Sequence, residues 1–176
     1  YGSSNFTFYY NGQSYTKSGS LSDGTTQTIN IPDDYTRNMT FAITDAYAQF
    51  FAQFGCSKFN IGGDEVAGAY ESWASSSFTT SNGGSNVKDT YVIYINQLAT
   101  MLQRNAYGSD NHSYRVRAWN DALFGTGFFV PDWRHPFTGS ATVPVNKDID
   151  VLFWTALSKH TSPNDLADQG RTVYNA

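Results

Sequence analysis

Two adjacent carboxylates, Asp64 and Glu65, follow two adjacent glycines, Gly62 and Gly63. Glycine lets a backbone turn sharply where a strand ends, so this pair is expected at a rim, with both acids presented to solvent or to a ligand. Like charges on neighbouring residues resist joint ionisation. If the pair is partly desolvated, one carboxyl stays protonated near neutral pH, the state a general acid requires. An exposed acidic turn or a helix N-terminal charge fits the same residues, and both readings stand at this point. Other chemistry-bearing types are thinly spread. His112, His135 and His160 share no ligand spacing, and Asp148-x-Asp150 precedes an apolar run, so neither a metal nor a cofactor is implied. Lone Cys56 permits no internal disulfide and has no His/Asn partner motif near it; it is expected in the core.

The elements that must position these residues follow from periodicity. Residues 1–31 alternate polar and aromatic types, with Asn11-Gly12 and Asp23-Gly24 as turns, which predicts a small β-rich excursion. Pro32 and Asp33-Asp34 lead into a helix over roughly 38–54, whose apolar stripe is Ile43, Tyr47, Phe50, Phe51 and Phe54, and Gly55 ends it. A strand over 57–61 opens into Gly62-Gly63-Asp64-Glu65. A Ser/Thr/Gly/Asn-rich loop covers 75–86. A second helix over about 88–103 carries Tyr91, Ile95, Leu98 and Leu102 on one face, and a strand over 114–119 ends in Trp119-Asn120-Asp121. The nearly continuous apolar run from Ile149 to Trp154 reads as a strand buried on both faces. Ser162-Pro163 opens a short helix that Gly170 stops, and Thr172–Tyr174 begins another strand. This alternation predicts α/β architecture with a parallel sheet, in which Asp64-Glu65, Trp119-Asn120-Asp121 and Trp154-Thr155 all lie at carboxyl ends of strands, the edge where ligands bind. Four strands do not close an eight-stranded barrel, which takes about 250 residues. If the architecture is a barrel, this chain is its middle.

The chain has 176 residues, 40% hydrophobic and 16% aromatic, enough for one sizeable core. Its charged fraction of 15% is well under the roughly 25% usual for soluble domains. Ser, Thr, Asn, Gly and Gln supply the polarity, which suggests an extracellular or cell-surface protein. Three Asn-x-Ser/Thr matches, beginning at Asn5, Asn38 and Asn111, agree with that location but are near chance in such a composition. A net charge of -4 with no basic run argues against nucleic acid as a partner. No apolar stretch approaches the roughly 20 residues of a membrane helix, so no span is expected. The chain starts at Tyr1 without Met or signal peptide, as a processed product or a piece of something longer would.

Lys58-Phe59-Asn60-Ile61-Gly62-Gly63-Asp64-Glu65-Val66 resembles the H-x-G-G-D-E signature of glycoside hydrolase family 20, the β-N-acetylhexosaminidases. Further similarities fall in order: Arg117-Ala118-Trp119-Asn120-Asp121 is similar to the family's W-N/D-D/E strand end, Asp150-Val151-Leu152-Phe153-Trp154 to the next strand, and 165–175 to the helix and strand after it. The resemblance spans about residues 40–176. Asn60 stands where the family more often has His. The resemblance implies a portion of a (β/α)8 TIM barrel, its central to late strands, over 38–176, with 1–37 as a β-rich insertion.

It also implies retaining hydrolysis of terminal β-linked N-acetylhexosamine without an enzyme nucleophile, the substrate's own 2-acetamido oxygen attacking the anomeric carbon. Glu65 would be the general acid/base and Asp64 would hold the acetamido N–H. Trp119 and Trp154 would wall the sugar, their rings offering apolar area with a polar N–H at the edge; Asp121 would touch the sugar or the helix behind it. Trp73 and Trp133 would line a more distal subsite. Tyr174 falls inside its expected strand, whereas the family's acetamido-binding Tyr follows that strand, so that residue is expected beyond Ala176 and the sugar-binding Arg before Tyr1. The partners implied are a glycan or oligosaccharide and the remaining barrel strands of a longer parent chain, with no cofactor. Lacto-N-biosidase-type disaccharide release is the near alternative, and a non-catalytic carbohydrate-binding domain the more distant one. Cyclases making cyclic diguanylate share Gly-Gly-Asp/Glu-Glu, but Val66 replaces their Phe and their upstream phosphate- and metal-binding acids are absent.

Overall fold

The computed structural model describes residues 5–18, 30–64, 71–124, 140–154 and 161–176. Strands β1 (Asn5–Tyr10) and β2 (Gln13–Ser18) pair antiparallel around Asn11 and Gly12, at φ 48° and 75°, the positive pair that a tight hairpin turn requires. Tyr10 meets Phe41 edge-on and Tyr15 meets Tyr35, so the hairpin rests on helix α1 (Asp34–Ala52). That helix starts about one turn before the expected position because the Asp33 carboxylate accepts the N–H of Thr36 at 2.7 Å and caps it.

The buried face of α1 is not the expected one. Phe41, Ala42, Ala48 and Ala52 are buried, and the Tyr114 hydroxyl donates to the Ala48 carbonyl at 2.6 Å. The stripe of large aromatics lies on the opposite side, with Tyr47 39%, Phe50 51%, Phe51 41% and Phe54 69% exposed. Both stripes have helical spacing and are offset by two residues, about 200° around the axis. The alanines win the inner position because only small side chains allow α1 to approach Tyr114 so closely.

Four strands, β3 (Lys58–Asn60), β4 (Arg115–Trp119), β5 (Asp150–Phe153) and β6 (Val173–Asn175), form a parallel sheet in the order β3-β4-β5-β6. Spatial order equals chain order, so the sheet is wound in one direction, without the reversal of a doubly wound sheet. The fold is mixed α/β, and no barrel closes among the described residues. Between β3 and β4 run a 3₁₀ turn (Glu71–Trp73), α2 (Ser77–Ser81) and α3 (Val87–Arg104); α4 (Asn120–Phe124) follows β4, and α5 (Pro163–Asp168) precedes β6. The short α2 was expected as loop, since five residues hold too little periodicity to betray a helix. Tyr91, Ile95, Leu98 and Leu102 of α3 are buried as expected and pack with Val116 and Ala118 of β4 in the main core. Val151, Phe153 and Leu166 form a second cluster. Ser162 caps α5 in a capping box with Asp165, and Gly170 at φ 81° ends it.

Three further expectations are corrected. Cys56 is exposed, because it follows the left-handed Gly55 in the turn between α1 and β3, which is terminal in the sheet among the described residues, and does not lie in a buried strand. The strand ending at Trp154 is not buried throughout: Leu152 is half-buried and Trp154 38% exposed. Trp73 is core, not a cleft-lining loop residue; it is buried, and its carbonyl accepts the hydroxyls of Ser76, Thr79 and Thr90 at 2.7, 2.8 and 3.2 Å. Trp133, His135 and His160 lie outside the described residues. His112 is structural, bonded to Asp110 and to the Cys56 carbonyl, and Asp150 is a buried partner of Arg115.

Candidate active site

The site is built at the carboxyl edge of the sheet. The Asn60 side-chain carbonyl accepts the N–H of Gly62 at 2.9 Å, which closes a turn as β3 ends. Gly62 and Gly63 then adopt φ 73° and 95°, a region that side chains disfavour. The Tyr91 hydroxyl, on α3, donates to the Gly63 carbonyl at 3.2 Å, and a Cβ on Gly63 would lie 2.5 Å from that hydroxyl. Glycine is therefore required at Gly63 both for its backbone angle and for the close approach of the tyrosine. The turn leaves Asp64 exposed at the edge, while Glu65 lies outside the described residues.

Tyr91 is a reliable donor. Burial pushes its hydroxyl well above the ordinary tyrosine range, and the negative charges of Asp121 and Asp64 push it further the same way. It thus stays protonated, and the strand end stays pinned, throughout the neutral range.

The neighbouring strand ends are tied to this turn and to each other. The Trp119 N–H donates to the Gly62 carbonyl at 3.0 Å, which joins the end of β4 to the glycine turn. Asn120, buried at the start of α4, accepts the Trp154 N–H on its side-chain carbonyl at 3.1 Å and so joins the ends of β4 and β5. Trp119 is half-buried and Trp154 partly exposed, both at the same edge as Asp64. Asp121 is buried in the first turn of α4, where its charge reaches Tyr91 behind the strand ends. Tyr174, on β6, lies under the Arg117 guanidinium at 4.2 Å and is level with Leu152 and Trp119 in the sheet register.

The edge therefore sets an exposed carboxylate, on a glycine turn hydrogen-bonded to Tyr91 and Trp119, beside two indole side chains at the ends of the next two strands. Such a set suits a ligand with hydrogen-bonding groups and apolar ring faces. No group of three or more His, Cys, Asp or Glu able to hold a metal ion occurs among the described residues, and no helix there is long and apolar enough to cross a membrane. Sequence reasoning assigned no part to Tyr91 or to the Asn120 side chain. A polar tip on an otherwise apolar helix face was the one available signal for Tyr91.

No protein-family model matches the sequence, and no curated protein does. Among solved structures, the fold resembles that of Dispersin B. The likeness has a TM-score of 0.53 at 18% identity, over 88% of this chain and 38% of the Dispersin B chain. At that identity the similarity to Dispersin B is one of fold, and this chain spans well under half of that structure's length.

Proposed function

We propose that this chain is the central to late portion of a (β/α)8 barrel, over 38–176 with 1–37 inserted, and that the barrel is a hexosaminidase-type glycoside hydrolase of family 20. The observation that carries the reading is the Gly62-Gly63 turn, both glycines at positive φ, that presents Asp64 at the carboxyl end of one strand, with Trp119 and Trp154 at the same ends of the next two. Two facts support it: the sheet is wound in one direction, and its fold resembles that of Dispersin B, a glycoside hydrolase family 20 β-hexosaminidase with a TIM barrel.

In this reading Glu65, next to the pinned turn, gives its proton to the glycosidic oxygen as the substrate's acetamido oxygen bonds to the anomeric carbon and the glycosidic bond breaks. Asp64 accepts the acetamido N–H and offsets the positive charge of the oxazolinium ring. Glu65 then takes a proton from water as that water opens the ring, and the anomeric configuration is retained. Consecutive residues suit this division, because both groups serve one face of one sugar. Trp119 and Trp154 wall the sugar, and Asp121 belongs to the substrate-binding set by steadying the pocket from behind. The substrate is a terminal β-linked N-acetylhexosamine of an extracellular glycan, and no cofactor takes part.

Aryl β-GlcNAc, β-GalNAc and β-lacto-N-biose glycosides test the proposal on the longer parent chain. Turnover is expected, reduced roughly 100- to 10,000-fold by Glu65→Gln. Preference for lacto-N-biose would assign disaccharide release. A folded parent that turns over none of the three but still binds glycans would replace the hydrolase with a carbohydrate-binding domain.

A further inference from the structure

Gln97, Thr100, Met101 and Arg104 recur at helical spacing along one face of α3. With Tyr10 of β1 and Phe41 of α1 they line a hollow of about 450 Å³ between the hairpin, α1 and α3, within the roughly 300–1,000 Å³ usual for small-molecule sites. Its floor is apolar: Phe41 and Met101 are buried, and the half-buried Tyr10 ring stands edge-on to Phe41 at 5.6 Å. A second hollow, of about 570 Å³, shares Thr100 and Arg104 and continues past Gln103 and Asn146, so the two meet beside the last turns of α3.

The rim of the first hollow has bonding capacity to spare. Arg104 is exposed and makes no hydrogen bond, ion pair or ring contact among the described residues. Thr100 gives its hydroxyl proton to the Asn96 carbonyl at 2.7 Å and keeps lone pairs to accept with. Gln97 spends its side-chain nitrogen on Asn82 at 3.2 Å, which leaves its side-chain carbonyl as an acceptor. Donors and acceptors around an aromatic floor suit a pyranose ring, whose C–H face rests on the aromatic while its hydroxyls bond the rim. The charges favour a neutral ring. Asp45, one turn along α1 from Phe41, accepts the Tyr107 hydroxyl at 3.0 Å, and its charge is felt at Tyr10. Arg37, also felt there, is paired with Asp34 at 2.6 Å. Asp148 lines the second hollow, where Arg115 is paired with Asp150. The Arg104 cation is thus offset by Asp45 near one hollow and Asp148 in the other, and either carboxylate would repel an acidic sugar.

Position separates this place from the candidate active site. Thr100 and Arg104 lie roughly 14–20 Å along the helix axis from Tyr91, whose hydroxyl holds the glycine turn. We propose that the hollow between the hairpin, α1 and α3 is a second, non-catalytic carbohydrate site. It takes an uncharged N-acetylhexosamine unit of a longer glycan, with Arg104, Thr100 and Gln97 bonding the sugar and Tyr10 and Phe41 beneath its ring. The hexosamine identity rests on the functional proposal; the cavity and its preference for a neutral ring do not. Such a site tethers the glycan and raises the local concentration of its ends at the active edge.

Calorimetric titration of a neutral β-linked N-acetylglucosamine oligosaccharide into the parent chain carrying Glu65→Gln tests it. Binding besides that at the active edge is expected, weakened about 10-fold by Arg104→Ala and about 3-fold by Gln97→Ala. With Glu65 intact, both variants should turn over an aryl β-GlcNAc glycoside within about 2-fold of the parent, while KM for the oligosaccharide rises about 3-fold or more. Oligosaccharide-induced shifts of the Gln97, Thr100 and Arg104 amides read the same site without any substitution in α3. Unshifted amides, or equal binding by both variants and the parent, would overturn the site. Stronger uptake of an acidic oligosaccharide of the same length would overturn the neutral ligand. Binding in the hollow by a parent without glycosidase turnover would leave the site standing and remove the hydrolase; turnover without that binding would do the reverse.

Discussion

Gly63 carries two constraints that can be separated by mutation. Gly62 has open space where a Cβ would go, so Gly62→Ala meets backbone strain alone, about 1–2 kcal/mol. Gly63→Ala adds contact with the Tyr91 hydroxyl and is expected to cost more, read as the shift in denaturation midpoint. Tyr91→Phe removes that oxygen, so the alanine should cost less in the double variant than in the single one; additive costs would show that the hydroxyl does not press on Gly63. The glycine pair and its neighbouring carboxylates are legible in the sequence because they act through local backbone freedom. Tyr91 is not legible, since its contact with Gly63 joins residues distant in the chain.

At the scale of elements, α3 organises the molecule from its first turn. Asn86 and Asp89 form a capping box there, and the buried Asp89 carboxylate also accepts the N–H groups of Ser85, Thr142 and Val143 at 2.8, 2.7 and 2.9 Å and the Thr142 hydroxyl at 2.7 Å. Burial alone would raise this carboxyl, but the donors, the Val143 and Ser85 amides foremost, outweigh it and hold Asp89 below the ordinary aspartate range. The side chain thus clamps the segment leading to β5 onto the helix that precedes β4. Asp89→Ala strands several buried donors and should destabilise by about 3 kcal/mol or more, with Asp89→Asn milder because it keeps acceptor capacity. Equilibrium denaturation of the two variants checks the order. The cap was foreseeable from Asn86 and the helix start, but the grip on Thr142 and Val143 was not, because it depends on how the later segment folds back.

At the scale of the whole molecule, stability should carry a histidine signature. The His112 ring bonds Asp110 at 2.7 Å and the Cys56 carbonyl at 2.9 Å, which ties the turn before β3 to the segment before β4. The Asp110 carboxylate raises His112 above the ordinary histidine value, and His112 lowers Asp110 in return. The histidine share of stability is therefore full below the unfolded value of about 6.5 and is lost as pH rises through the raised folded value. The Asp110 share is full above about 3.9 and is lost as pH falls through its lowered value. Melting curves at pH 5.5 and 8 should show a larger loss for the wild type than for His112→Gln; equal losses would show that the pair adds nothing. Taken alone, the sequence determined the strand–helix alternation, the α5 cap and stop, and the glycine turn that presents Asp64, because each of these is set by residues a few positions apart. Tertiary structure alone decided that the alanine stripe of α1 faces inward and its rings outward, that Trp73 is core and Cys56 exposed, and that Asn120 holds Trp154. Those outcomes depend on which distant surfaces meet, and two stripes of equal periodicity are told apart only by the partner that packs on one of them.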